Sequence, residues 1–523
     1  MICLHMKPFK TTVSHIARLI LWTIALAGAC GVVAQLNEPV PPVFHSKIGD
    51  KAASRHGEVK LAVAGQKLNY TGCNKALRDT DVYSPKSAHF HPDGTKYYIN
   101  SLEGCMTIVY DAATGKKLHV IKHKFTDANA YLWAKPSGLY RFTHYSKHLN
   151  TFWGRPVESA FSHKGRYLWI PYYRRSYDLN AQDPSAISVV DTRTDTIVRV
   201  METGPLPKMV AASHNGKYMA VTHWGNNTVG LIDISSPRPA DWHWTTCITV
   251  DHKLKLNFST IAKVDRDAHS GYLLRGTVFT PDDRYLLVGC MGGMGGIAVI
   301  DVQQLKYLGR LTGVYNARHL VIDHGYLYAS LNAAGIVQRL PLDSVLGAVR
   351  RLDGRKTAAL KGWQACRVGR GARTISLSPS GNYLFAACNA ASELCVVDTR
   401  TMKPLASLHL DSYPVGLDIS ADGRHVVVTS QGRKGHGGNA VNLITVDYAT
   451  PEPNLLAKAA PATPDAAAGT GKVAQAKKAV EDAVKMPVGQ LLTLLLGVAL
   501  VVLIVVLLKV VNRHSHNKAS QAD

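Results

Sequence analysis

One short pattern recurs seven times along the middle of this 523-residue chain, and it restricts the fold more than any other feature. In full it reads as an apolar strand, Ser-Pro-Asp/Ser-Gly, a basic or polar residue, Tyr, several apolar residues, a loop, and an apolar strand ending in Asp-Thr. The sharpest copy is Ile375–Phe385 followed by Leu394–Thr401. Others are His89–Tyr98 with Ile108–Thr114, Ala160–Ile170 with Ile187–Thr194, and Val210–Val221 with Val229–Ile234. Val278–Val288 with Ile297–Val302, Leu417–Val428 with Leu443–Asp447, and a degenerate His319–Ser330 with Ile336–Leu340 complete the set. Alternation of apolar and polar residues over four to eight positions, bounded by Gly, Pro or Asp, is strand patterning. Asp-Gly closes a tight hairpin because Gly accepts positive φ without a Cβ clash. Units of four short strands bury both faces only by stacking radially, so the expected fold is all-β, a seven-bladed β-propeller over residues 58–450. The last blade stops near Tyr448, and Glu58–Ala64 is expected to supply its outer strand.

The run Ser378-Pro-Ser-Gly-Asn-Tyr383 with Val396-Val-Asp-Thr-Arg-Thr401 resembles the YVTN-type (YncE-like) repeats of bacterial extracytoplasmic seven-bladed propellers. That resemblance implies the ring fold and an envelope location. Related propellers include lactonase-like enzymes, the haem-binding propeller of nitrite reductases and non-enzymatic binding proteins, and fold alone does not choose among them.

Both ends of the chain read as targeting segments. Residues 1–34 pair a basic stretch ending at Arg18 with an apolar run to Val33 and small residues before Gln35, a secretory signal peptide. An uncleaved anchor and a lipoprotein through Cys30 are the weaker alternatives, and Met6 is a second candidate start. A leader spans residues 35–57. Val488–Leu508 is 21 residues without a charge, which at about 1.5 Å per residue matches a bilayer core of about 30 Å. A single transmembrane helix is therefore expected over 487–511, after an Ala/Pro/Lys-rich linker at 451–486. Lys509, Arg513 and Lys518 place the tail 512–523 in the cytoplasm and the propeller on the periplasmic or extracellular side. The formal charge is +23, and each end contributes little of it, so the positive excess belongs to the repeats.

In a propeller, the turns from first to second strand and from third to outer strand share one face; the other two sets of loops share the opposite face. The first set is short here. The long segments Ile121–Gly154, Tyr172–Ala186, Pro237–Leu274, Pro341–Arg370 and Gly432–Asn439 are assigned to the second, elaborated face, where binding is expected. Aromatic and cationic residues interleave there, including His144, Trp153, Tyr172, Arg174 and Arg175, with the Trp242-His-Trp244 cluster and His223-Trp224 beyond. Such loops offer stacking surfaces beside positive charge, or alternatively pack on one another as a cap. Alignment on the turn glycine puts a basic residue eight positions earlier in four copies: Lys86, Lys208, Arg275 and Arg373. Arg155 and Arg318 lie within two positions of the same place. The start of the inner strand is the mouth of the central channel, so these six are expected to ring it and attract anions, or else to bond carbonyls between blades.

Reactive motifs are scarce. There is no Cys-x-x-Cys-His, His-Glu-x-x-His or Gly-x-Ser-x-Gly, and Met291-Gly-Gly-Met-Gly-Gly296 lacks the end of a phosphate loop. Histidines such as His89, His144, His223 and His319 follow no ligand spacing, so no metal and no cofactor is expected. Cys388 and Cys395 flank one hairpin loop and are candidates for a bridge. The sequence thus points to a membrane-tethered, non-enzymatic scaffold whose partner is an envelope protein or an anionic glycan, and not nucleic acid. A lactonase-like hydrolase and a haem-binding propeller are the alternatives.

Overall fold

The computed structural model describes residues 42–254, 265–433 and 435–456. The signal peptide, the apolar run Val488–Leu508 and the tail lie outside the described residues, and among the described residues no helix is long and apolar enough to cross a membrane. The described residues form a ring of seven sheets, antiparallel apart from one added strand. Their inner strands are Pro85–Phe90, Ala160–Ser162, Pro207–Ala212, Leu274–Phe279, Ala317–Asp323, Ala372–Leu377 and Pro414–Ile419, which number the blades one to seven.

Apolar positions on both faces of each sheet are consumed by the neighbouring blade. Tyr218, Val229 and Leu231 of blade three pack against Phe279, Leu286, Val288 and Ile300 of blade four in one buried cluster. At about 25 cal/mol per Å² of apolar surface removed from water, this inter-blade burial is the main stabilising term. Small polar side chains on the second strands then bond four of the blades to the next. Thr222 meets Thr277 at 2.6 Å, Thr429 donates to the Lys86 carbonyl, Ser330 to the Arg373 carbonyl, and Asn100 to the Glu158 carbonyl.

The N-terminal strand closes the ring. Val59–Leu68 pairs antiparallel with Ala440–Tyr448, from Val59 opposite Tyr448 to Leu68 opposite Ala440, as the outer strand of blade seven. Lys51–Ala53 extends the same sheet by a further strand, so part of the expected leader is built into the blade. Ser46 and Gln66 bond Asp411 and Asn442 in a buried network that ties this segment down.

Two of the long segments are placed differently from the expectation. Leu342–Arg350, a helix, follows the third strand of blade five, so Pro341–Gln364 leaves from the face of the short turns. It then climbs the rim, where Thr357–Ala359 adds in parallel to the outer strand of blade four. Pro237–Leu274 is divided by the outer strand His243–Thr249, and its part before that strand also lies on the short-turn face. The cysteines among the described residues are free thiols, with the Sγ atoms of Cys388 and Cys395 3.6 Å apart.

Candidate functional site in the mouth of the channel

A bulge in the inner strand places each cation. In blade three, Pro207 faces His223 and Met209 faces Thr222, which leaves Lys208 as the extra residue. The pairing shifts at the same place around Lys86, Arg275, Arg318 and Arg373. A bulge interrupts the ladder and re-aims the side chain it carries. The residue before each of these strands takes positive φ: Ser84, Leu206, Leu273, Asn316 and, in blade six, Gly371. Turn, left-handed residue and bulge thus form one device that the repeat copies.

Five of the six sequence-predicted cations come together. The charges of Arg373, Arg275, Lys208 and Arg318 all bear on Lys86; after burial they are what holds its ammonium well below the ordinary lysine value. Burial and then Arg275 pull Arg373 down to about 10, against the opposing influence of Tyr413 and Glu158. Arg318 is lowered by burial and by Arg373 and Arg275. Lys208, Arg275 and Arg373 are buried, whereas Lys86 and Arg318 are half-buried.

Arg155 is the exception. It pairs with Glu103 at 3.4 Å, and blade two instead sends Glu158 to the mouth, where it meets Arg275 at 2.5 Å. The second carboxylate is Asp267, from the connection between blades three and four, 3.0 Å from Lys208. Burial works against the Asp267 carboxylate, but Lys208, the Tyr173 hydroxyl and Arg174 outweigh it and hold it down to about 2. Lys208 is lowered to about 8 by burial, partly offset by Asp267 and reinforced by Arg275 and Arg174. Its ammonium lies 3.9 Å from the centre of the Tyr173 ring and 4.8 Å from that of Trp224. Arg174 stacks over the same Tyr173 ring, at 4.3 Å.

The side chains of these cations do not bond backbone carbonyls of the neighbouring blades; the carbonyls of Lys86 and Arg373 take those inter-blade bonds, and the side chains that cross blades meet side chains, Arg275 to Glu158 and Lys86 to Gln431. The Nε atoms of Arg318 and Arg373 are buried without a hydrogen-bond partner among the described residues. Arg318 otherwise touches the Met291 sulfur at 3.6 Å, and Lys86 donates to Gln431 at 3.0 Å. His319 and His89 share this channel, with burial taking His319 down to about 4. His89 Nε2 is also buried without a partner among the described residues.

The remaining sequence-predicted residues are placed elsewhere. Tyr172 is fully buried, its hydroxyl 3.1 Å from His123, because the second strand of blade two runs on to Arg175 and pairs with Phe152–Pro156. Arg175 is also buried, bonding the carbonyls of Leu149 and Ser185 beneath Phe142 and Phe152. His223 sits between Thr203 and Thr228, and burial lowers it to about 3. These three belong to the core, not to a surface. His144 is fixed to Asp183, and Trp153 is half exposed with Lys124 over its ring. Among the described residues no three His, Cys, Asp or Glu side chains form a metal-holding group.

No family model matches the sequence, and no curated protein matches it. Solved structures do. The chain is similar to Kuenenia stuttgartiensis hydrazine synthase, with 14% identity, 72% of this chain and 99% of that one covered, and a TM-score of 0.48. It is also similar to the β-propeller domain of Myceliophteria thermophila Cps50 (Swd1), with 11% identity, 73% and 100% covered, and a TM-score of 0.48. At these identities nothing about ligands passes from those proteins to this chain.

Proposed function

We propose that this chain is a propeller scaffold, held at a bacterial membrane by its C-terminal apolar run, that recognises an anionic glycan or acidic envelope protein at the channel mouth. The observation behind the reading is the charge imbalance there: Lys86, Lys208, Arg275, Arg318 and Arg373 face Glu158 and Asp267. Removing an unpaired charge from water costs several kcal/mol, so the ring spends stability to keep positive potential in one place. A bound anion returns that stability, because a ligand of the folded state alone stabilises by RT ln(1 + [L]/Kd). Tyr173 and Trp224 hold the Lys208 ammonium without neutralising it, and Trp153 and Arg174 give a longer partner further contacts. The resemblance to extracytoplasmic YVTN-type propellers supports the envelope setting.

The test is binding of the detergent-solubilised full chain to an alginate oligosaccharide from about 50 to about 500 mM salt. Affinity is expected to fall steeply across that range. Affinity indifferent to salt overturns the reading.

A further inference from the structure

The mouth is not uniform, and its asymmetry says what it holds. Lys208 is answered by Asp267 and Arg275 by Glu158, so that side of the ring is paired. Continuing round the ring, Arg318 of blade five, Arg373 of blade six and Lys86 of blade one have no carboxylate within ion-pair distance among the described residues. Blade seven, between them, carries Val415 at its bulge and contributes Tyr413 and Gln431 instead. Tyr413 acts electrostatically on both guanidinium groups, as Glu158 does from beyond ion-pair distance, and Gln431 is anchored by Ser84 at 2.7 Å while it accepts from Lys86.

Resting on the reading above, we infer that the arc Arg318–Arg373–Tyr413–Lys86 is the seat for a compact oxyanion of two or more negative charges, carboxylate or phosphate in kind. A guanidinium offers a planar fork of N–H donors that matches two oxygens of one oxyanion, and Arg318 and Arg373 supply two such forks from adjacent blades. Arg373 is 3% exposed and its Nε is buried without a hydrogen-bond partner among the described residues, so its charge is held largely out of water and uncompensated. A chloride or a monocarboxylate leaves most of the arc's charge uncompensated; a dianion does not. Burial first, and then the neighbouring cations, hold the Lys86 ammonium below its ordinary value, and an anion seated beside it opposes that shift.

Calorimetric titration of the full chain tests this with inorganic phosphate, with citrate, and with vesicles of phosphatidic acid in phosphatidylcholine. Saturable one-to-one binding of phosphate or citrate is expected. Arg318→Gln with Arg373→Gln is expected to weaken it more than tenfold, while Arg350→Gln on the rim helix leaves it unchanged. Binding of the vesicles alone, lost in the same double variant, assigns the oxyanion to a lipid headgroup and keeps the seat. Absence of binding to all three probes, or binding unchanged in the double variant, overturns the inference. Arg373→Met alone guards against misfolding: in anion-free buffer its melting midpoint is expected to rise as repulsion is relieved, and a fall overturns the seat. Alginate binding that survives the double variant removes the inference and leaves the scaffold reading standing.

Discussion

A lysine between two aromatic rings and a single carboxylate behaves unlike a lysine that has merely gained a partner. Lys208 titrates near 8 when folded and near about 10.4 in an open chain, so between these values the unfolded state binds more protons. Its contribution to stability therefore rises as pH climbs from about 8 to about 10, the reverse of a lysine whose partner raises its folded value. Melting midpoints of the native chain and Lys208→Met at pH about 7.5 and about 9.5 are expected to shift in the native chain's favour at the higher pH. Saturation with a tight anion is expected to flatten that difference. Glu158→Gln acts in the opposite sense: it strips Arg275 of its carboxylate, at a cost of about 3–5 kcal/mol for a broken buried pair. Denaturant unfolding is expected to show that loss, and phosphate binding is expected to tighten in the same variant. The cations were legible because the hairpin turn fixes their position in four copies and nearly so in two more. Glu158 appears in blade two alone, and Asp267 lies in a connection without periodicity, so no pattern marks either. Tyr172 and Arg175 were read as loop residues because the strand carrying them runs past the length that the repeat prescribes.

The inner strand with its bulge is the element that brings blades close enough to share backbone contacts. A Cβ on Gly416 would lie 2.5 Å from the Lys86 carbonyl and from Thr429 Oγ1, and one on Gly276 would lie 2.8 Å from the Leu320 amide. Both replacements press on backbone of the next blade, which cannot swing aside as a side-chain tip does. Gly416→Ala is expected to cost about 1–3 kcal/mol, measured as a lower denaturant midpoint at unchanged slope. A neutral result would show that blades one and seven can part without penalty. The hairpins, the strands and the closing strand were all readable, because period-two patterning and Asp-Gly turns are local signals. The rim insertion was not: Leu342–Arg350 is a helix of only nine residues, and its buried Val345, Ala348 and Val349 answer to blades four and five, not to a local pattern.

At the scale of the molecule, a ring has no weak side unless its seam is weak. Val63 is 1% exposed within the closing strand, so Val63→Asp puts a charge into the core of blade seven. Limited proteolysis is expected to cut that variant between blades seven and one first, with the midpoint lowered by many degrees; cleavage first on the rim near residue 350 would place the weak point elsewhere. The seam also sets a timetable for biogenesis. A ribosome delivers a chain in order, and Val59–Leu68 leaves long before its partner Ala440–Tyr448. Until those final residues arrive, an amphipathic strand with an open hydrogen-bonding edge waits in the company of every other nascent copy. Closure must also bridge nearly the whole length of the barrel-like ring, a slow search for any chain. Folding of this protein is therefore a race between arrival of the last blade and capture of the first strand by a neighbour, and a holding chaperone would decide the yield.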